Sequence, residues 1–382
     1  MPTMISTTRN TSSVTTNRIK VDMGDVSLLN PSKTPLIALL TRIGKKSAIN
    51  PKFMWIERQL LPRWDTVNGE IAAGTFTLVM DHGSYFSIGD LIEIPSTGEV
   101  LYITDISNND LTVTRGIGDT SGAIIPDGEN IQIVGNANAE GATKRTLKST
   151  TGSEVYNYTQ IFRLPFGVTR TELNSEMYGG KDMNMIRKEN GMTHAIDLER
   201  AAWFSEKALD VTGTNPLRYT RGLLRTIEQA GSAAQIIDQG GALTQTDFET
   251  FLRQAITNDP EAKRVIFCSR LVAQVISGFA HSQLQVVPKS KTYGINVTRY
   301  ISPMGEFNLV QQPLLTGATY GGYAVSVPLK ECKYRPLQNS DTKLKTNIED
   351  NDADSIEEEY ITEVGFQFMH PDKFAILKGV TE

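Results

Sequence analysis

Hydrophobic positions along this chain come in three textures, and the changes between them mark its parts. In TPLIALLTRIGKK (residues 34–46), Leu36, Ile37, Leu39, Leu40 and Ile43 cover most of a helical circumference. Thr34 is a candidate N-cap, and Pro35 suits the first helical position because its missing N–H would go unpaired there. Gly44 is placed for a left-handed C-terminal turn, with Arg42, Lys45 and Lys46 beside the last carbonyls. About nine residues cannot hold a helix alone in water. This one needs a partner, and its sequence neighbours supply none. Residues 1–25 are a polar arm rich in Ser, Thr and Asn, and PKFMWIERQLLPRW (51–64) is an extended ribbon with Phe53, Trp55, Leu60 and Trp64 among charges.

From about 73 to 137 the pattern turns to short alternating runs, FTLVM, DLIEIP, EVLYITDI, DLTVTRGI and NIQIVG, separated by turn-rich segments. Five such strands predict a small barrel or sandwich with its own core. Spacing by two puts Phe76, Leu78, Ile92, Ile94, Leu101, Ile103, Leu111, Val113, Ile131 and Ile133 inside. The flanks VNGEIAAG and NANAEGATK are small and polar, as insertion junctions are. The insertion would split an extended ribbon into an ascending limb, about 53–67, and a descending limb, about 144–162.

Beyond the break MYGGK (177–181), a long helix is predicted over 182–209. Met192, Ala195, Ile196, Leu198, Ala202 and Trp203 form its apolar arc, with Thr193, His194, Asp197 and Arg200 on the polar side. Gly191 weakens it by about 1 kcal/mol relative to Ala unless close packing explains it. Helices are expected over 217–229, 246–257 and RLVAQVISGFA, and KRVIFCS reads as a buried strand. INVTRYISP and EFNLVQQP, GYAVSVPL and CKYRPL, and the final EEEYITEVGFQFMHP and KFAILKGV read as strands. The class is α+β.

At 382 residues there is chain for two to three domain-sized units, and 39% hydrophobic with 21% charged residues is an ordinary globular composition. A net charge of −5 argues against a protein whose main task is gripping nucleic acid, though not against one that encloses it. Cys268 and Cys332 read as buried reduced thiols. No apolar run approaches the length of a membrane span, and no secretion or membrane insertion is expected. The histidines His82, His194, His281 and His370 lack metal spacing. Asp350, Asp352 and Asp354 begin like a calcium loop, but Ser355 and Ile361 stand where it needs Gly and Glu. Gly116, Gly118 and Gly122 have the wrong spacing for a dinucleotide loop, and Gly179, Gly180 and Lys181 lack the rest of a phosphate loop. No catalytic, cofactor or metal residues are expected.

Strung in order, these segments resemble the major capsid proteins of tailed bacteriophages with the Hong Kong 97 fold, in the branch where a small β-domain interrupts the extended loop. The carriers are TPLIALLTRIGKK, WIERQLL, NYTQIFRLPFGVTRTELNSEMYGG before the long helix, NPLRYTRGLLRTI after it, INVTRYISPMGEFNLVQQPLL with YAVSVPLKECKYRPL, and the closing EEEYITEVGFQFMHPDKFAILKGV. The resemblance implies an N-terminal arm with its short helix (1–46), extended-loop limbs (47–72 and 138–170) and an inserted all-β domain (73–137). A peripheral domain with the long spine helix (171–215 and 340–382) and an axial domain (216–339) complete it. It implies a non-enzymatic subunit of an icosahedral shell in the virion, made in the host cytoplasm. Its partners would be copies of itself in hexamers and pentamers, a portal, scaffold or decoration proteins, and enclosed double-stranded DNA bound without sequence preference. Pro35, Leu36, Leu39, Leu40, Ile43, Trp55, Arg58, Leu60, Trp64 and Arg163 are the candidates for contacts between subunits. An encapsulin-like compartment is the alternative of the same fold. A hydrolase using Cys268, at the strand–helix junction KRVIFCSR, is the enzymatic alternative.

Overall fold

The computed structural model describes residues 34–145, 147–175, 182–260, 263–279, 284–285, 297–302 and 304–381. The expected N-terminal arm and the MYGGK break lie outside the described residues. The chain forms two compact units, Ile56–Val155 and the remainder.

In the larger unit a mixed seven-stranded sheet runs in the order Ile236–Gly241, Ala375–Val380, Ala324–Pro328, Arg264–Cys268, Gly305–Gln311, Val297–Ser302, Leu284–Gln285. Its strand Arg264–Cys268 is buried at every position, as the continuous apolar run predicts for a strand covered on both faces. Alternation divides it between two cores. Val265 and Phe267 join Trp203, Leu223, Ile227 and the short helix on one face. Ile266 and Cys268 join Phe248, Phe251, Val272 and Ile276 on the other. The capping box of Thr244 and Asp247 starts the helix Gln245–Ile256, which supplies two of those phenylalanines.

A second sheet is built on the fourteen-residue strand Ser355–Phe368. Gln160–Thr169 pairs with it in antiparallel register over ten positions, Ser355↔Thr169 to Val364↔Gln160. Cys332–Pro336 and Lys343–Thr346 pair along its opposite edge. The sheets cut across the expected boundary at residue 339/340: Cys332–Pro336, from its N-terminal side, pairs with Ser355–Phe368, and Ala375–Val380, from its C-terminal side, lies inside the seven-stranded sheet. Cys332–Pro336 alternates buried and half-buried positions, whereas Ala375–Val380 opens on three consecutive buried residues, as a strand covered on both faces does.

The spine helix is Asp182–Phe204, five residues shorter than expected. Residues 217–229 are not one helix: Leu217–Tyr219 pairs with Ala208–Asp210 as a hairpin, and the helix is Leu223–Ala230. Gly222 at its N-cap lets the backbones meet, since a Cβ there would stand 2.7 Å from the Ala201 carbonyl oxygen. His194 is buried, against expectation, and its Nε2 lies 2.7 Å from the Thr362 hydroxyl. Burial holds its pKa below the ordinary value. Gly191 sits over Tyr360, whose hydroxyl would be 3.3 Å from an added Cβ, so close packing explains it.

The smaller unit is a six-stranded sheet in the order Trp64–Thr66, Asn130–Asn136, Asp90–Ile94, Glu99–Ser107, Asp110–Thr114, Thr77–Val79. Its two ends join. The Asn68 N–H donates to the Val79 carbonyl at 2.9 Å and the Asp81 N–H to the Thr66 carbonyl at 3.0 Å, so the sheet closes into a barrel. The module therefore starts earlier than residue 73, and Trp64–Thr66, expected in the ascending limb, is a barrel strand. The paired ribbon is Lys52–Glu57 with Ser153–Tyr158. Eight of the ten expected interior residues are buried, and Ile133 is half-buried. Phe76 is instead 61% exposed. Its strand begins only at Thr77, so the alternation does not reach it. Val67, Ile71, Met80, Phe86 and Ile125 complete the core.

Candidate assembly surfaces

The short helix Pro35–Ile43 finds its partner inside its own chain. Leu36, Ile37, Leu39 and Leu40 are buried in the core shared with Leu198, Ala202 and Trp203 of the spine helix. Thr34 makes no side-chain cap. The cap comes from Glu199: one carboxylate oxygen accepts the Leu36 N–H at 3.0 Å, and the other accepts the Ile37 N–H at 2.7 Å. Trp203 Nε1–H at 3.2 Å and the Gln312 amide at 2.6 Å also donate to it. Glu199 is fully buried; burial pushes its pKa up, and these four donors oppose the rise. Two of them are first-turn amides that no residue of the helix itself could satisfy. Gly44 is not left-handed, with φ −126°. A Cβ there would run into the Cys332 carbonyl, so close approach is what demands glycine. Pro35, Leu36, Leu39 and Leu40 are thus taken up by the subunit's own core, which corrects their expected place at a contact between subunits.

Ion pairs hold the long strand to the spine helix and to its neighbouring strands. Arg187 makes a bidentate contact to the buried Glu358 carboxylate, with Nε at 2.6 Å. On the strand's next position Glu359 is held between Arg163 (2.6 Å) and Lys345 (3.3 Å), and its pKa is lowered: desolvation would raise it, and the cations outweigh that. Arg163 is therefore engaged within the chain while most of its side chain remains exposed.

The other candidates stay at the surface. Ile43 is half exposed, and Trp55 is half-buried and stacks on Phe53 with ring centroids 6.1 Å apart. In the barrel unit Arg58 is exposed, Leu60 is 92% exposed and Trp64 is 52% exposed. Sequence reasoning missed the hairpin after the spine helix, where Leu209, Val211, Leu217 and Tyr219 are all exposed. Its strands fall at the end of one predicted helix, 182–209, and at the start of the next, 217–229. The signal that could have found it is Gly213, Asn215 and Pro216, turn residues between two short apolar runs.

Nothing in the geometry activates Cys268. It is 1% exposed, burial pushes its thiol up to about 12, and its Sγ lies 3.6 Å from the Val310 carbonyl. A nucleophilic cysteine needs the opposite surroundings. Among the described residues no three His, Cys, Asp or Glu side chains converge to hold a metal, and no helix is long and apolar enough to cross a membrane.

Comparison with known proteins agrees with this picture. The sequence matches the SU10 major capsid protein family over residues 6–381. A major capsid protein of Pseudomonas phage PaMx41 is 23% identical over 321 residues, covering 81% of this chain and 77% of the relative. A solved structure from Microbacterium phage Oxtober96 superposes with a TM-score of 0.50, covering 97% of each chain at 9% identity, a likeness that bears on the fold alone. With its Hong Kong 97-type α+β fold, the chain belongs to the SU10 major capsid protein family and is the subunit that forms a phage shell.

Proposed function

We propose that this subunit builds an icosahedral shell of hexamers and pentamers around double-stranded DNA, without catalysing a reaction. The observation that carries the reading is the exposed apolar set on extended elements: Met54 and the hairpin residues in the larger unit, Leu60 and Trp64 in the smaller. Exposed apolar side chains on extended segments fit contacts that a neighbouring subunit completes. Ile43, Trp55, Arg58, Leu60, Trp64 and Arg163 remain the proposed contacts between subunits. The inserted barrel reinforces the shell by touching adjacent subunits, and the two sheets of the larger unit correspond to the peripheral and axial domains. The acidic balance suits enclosure without sequence-specific binding, since the enclosed polyanion must be released again. Portal, scaffold or decoration proteins would join the shell, and the subunit would be made in the host cytoplasm before it enters the virion. The buried, high-pKa Cys268 supports a non-enzymatic role. Electron microscopy of the purified protein tests the reading: closed shells or capsomers are expected, and a monodisperse monomer at every concentration and ionic strength would refute it.

A further inference from the structure

The barrel carries an exposed apolar knob at one end and an apolar-floored hollow at the other, and we propose that the knob of one copy seats in the hollow of the next. This rests on the shell reading above and specifies how the barrels meet. The knob is Phe76 and Ile124, 61% and 58% exposed. Both sit on loops pinned by one buried group. The Arg115 guanidinium donates to the carbonyls of Ala72 at 2.8 Å, Thr75 at 3.4 Å and Ala123. It also grips Glu99 at 2.9 and 2.6 Å, and Glu99 accepts the Ala123 N–H at 3.1 Å. Arg115 and Glu99 have side chains 5% and 0% exposed. A buried ion pair is a poor way to gain stability. It is a good way to fix two loops in one geometry, and fixed apolar side chains lose little entropy on docking.

The hollow has a volume of about 560 Å³ and is lined by Phe86, Ile88, Ile106, Asn108, Asn109 and Lys148 among others. Its walls are also held. The Asn109 side chain accepts the Gly83 N–H at 3.1 Å and donates to the Asp81 carbonyl at 3.1 Å. Lys148 Nζ donates to the carbonyls of Ser84 at 2.9 Å and Phe86. Knob and hollow lie at opposite ends of the strand Glu99–Ser107, whose nine residues span about 27 Å. Glu99 belongs to the knob, while Ile106 lines the hollow.

Charge selects the same pairing. Residues 56–155 carry 14 carboxylates and six basic side chains, a net charge of −8, against −5 for the whole chain. Two barrels of this charge repel least where they meet away from carboxylates. The knob loops, residues 72–76 and 121–124, hold no charged residue, and the charged residue lining the hollow is the cation Lys148. A knob and a hollow on different faces of one subunit make a head-to-tail contact, which closes into a ring when the rotation allows it. That is the form a capsomer requires.

Cysteine trapping in assembled shells tests this. The native thiols Cys268 and Cys332 are buried and stay out of the reaction. The double variant Ile124→Cys, Ile88→Cys, treated with a short bis-maleimide, should give a ladder of covalent oligomers on denaturing gels, while each single variant stays monomeric. Shells of the double variant that yield only monomers overturn the proposal and leave the shell reading standing. If the double variant does not assemble, hydrogen exchange in the wild-type protein decides. Amides of residues 72–76 and 83–88 should exchange more slowly in shells than in free subunits, and unchanged exchange at either segment overturns the proposal. A protein that never assembles removes the shell reading and this inference together.

Discussion

The barrel of residues 56–155 and the four-stranded sheet of the larger unit handle strand edges in opposite ways. The barrel closes on itself through Thr66, Asn68, Val79 and Asp81, and it fills its interior with aliphatic side chains from its own strands. Closure abolishes edges. The four-stranded sheet stays open: among the described residues no strand pairs with the far edge of Gln160–Thr169. Two buried carboxylates on opposite faces of its long strand are paired with cations from other elements, Glu358 with Arg187 and Glu359 with Arg163 and Lys345. One region closes its own sheet as a single chain folds it, although Leu60, Trp64 and Phe76 stay exposed on its outside. The other leaves an open strand edge and an exposed hairpin. Closure of the sheet, rather than burial of every apolar side chain, is what separates the two regions.

That contrast can be broken at several points, with effects of decreasing size. The double substitution Leu36→Ser, Leu40→Ser should destabilise the larger unit by roughly 4–8 kcal/mol, from two buried leucines lost and hydroxyls buried in their place. Denaturant unfolding should show this before any assembly assay, with the barrel's transition unmoved. Removing the cation in Arg115→Ala leaves Glu99 buried and unpaired, and should cost the barrel about 3–5 kcal/mol while the larger unit is unaffected. A single merged transition in either variant would mean that the two units are not independent. Cys268→Ala should cost about 1 kcal/mol from lost packing and leave assembly intact. Smallest of all, replacing residues 59–151 by a short Gly-Ser bridge should leave the larger unit's stability unchanged, because the ribbon strands Lys52–Glu57 and Ser153–Tyr158 survive the cut. Shells of this deletion variant that rupture at a lower temperature than wild type would show that the barrel reinforces them.

Much of this architecture was legible because single elements announce themselves by period. The short helix, the buried strand Arg264–Cys268, the barrel runs and the helix Gln245–Ile256 all follow from local pattern. What periodicity could not supply was partnership. Glu199 looks like a solvated charge until the fold brings two amides of a helix more than 160 residues away against it. His194 falls on the polar side of its helix by angle, yet Thr362 covers it. The short helix was expected to pack against a neighbouring subunit or under the spine helix, and the structure places it against the spine helix. The partners of Cys332–Pro336 and Ala375–Val380 are likewise set by the fold, although the continuous buried start of Ala375–Val380 marks it as a strand covered on both faces.

Hydroxyl-radical footprinting, comparing free subunits with assembled shells, tests the central claim most directly. The account predicts that oxidation of Met54, Leu60 and Trp64, all exposed in the single chain, falls several-fold on assembly. Met80 and Phe86 of the barrel core are buried and should react slowly in both states. Equal labelling of Met54, Leu60 and Trp64 in subunits and shells would contradict it.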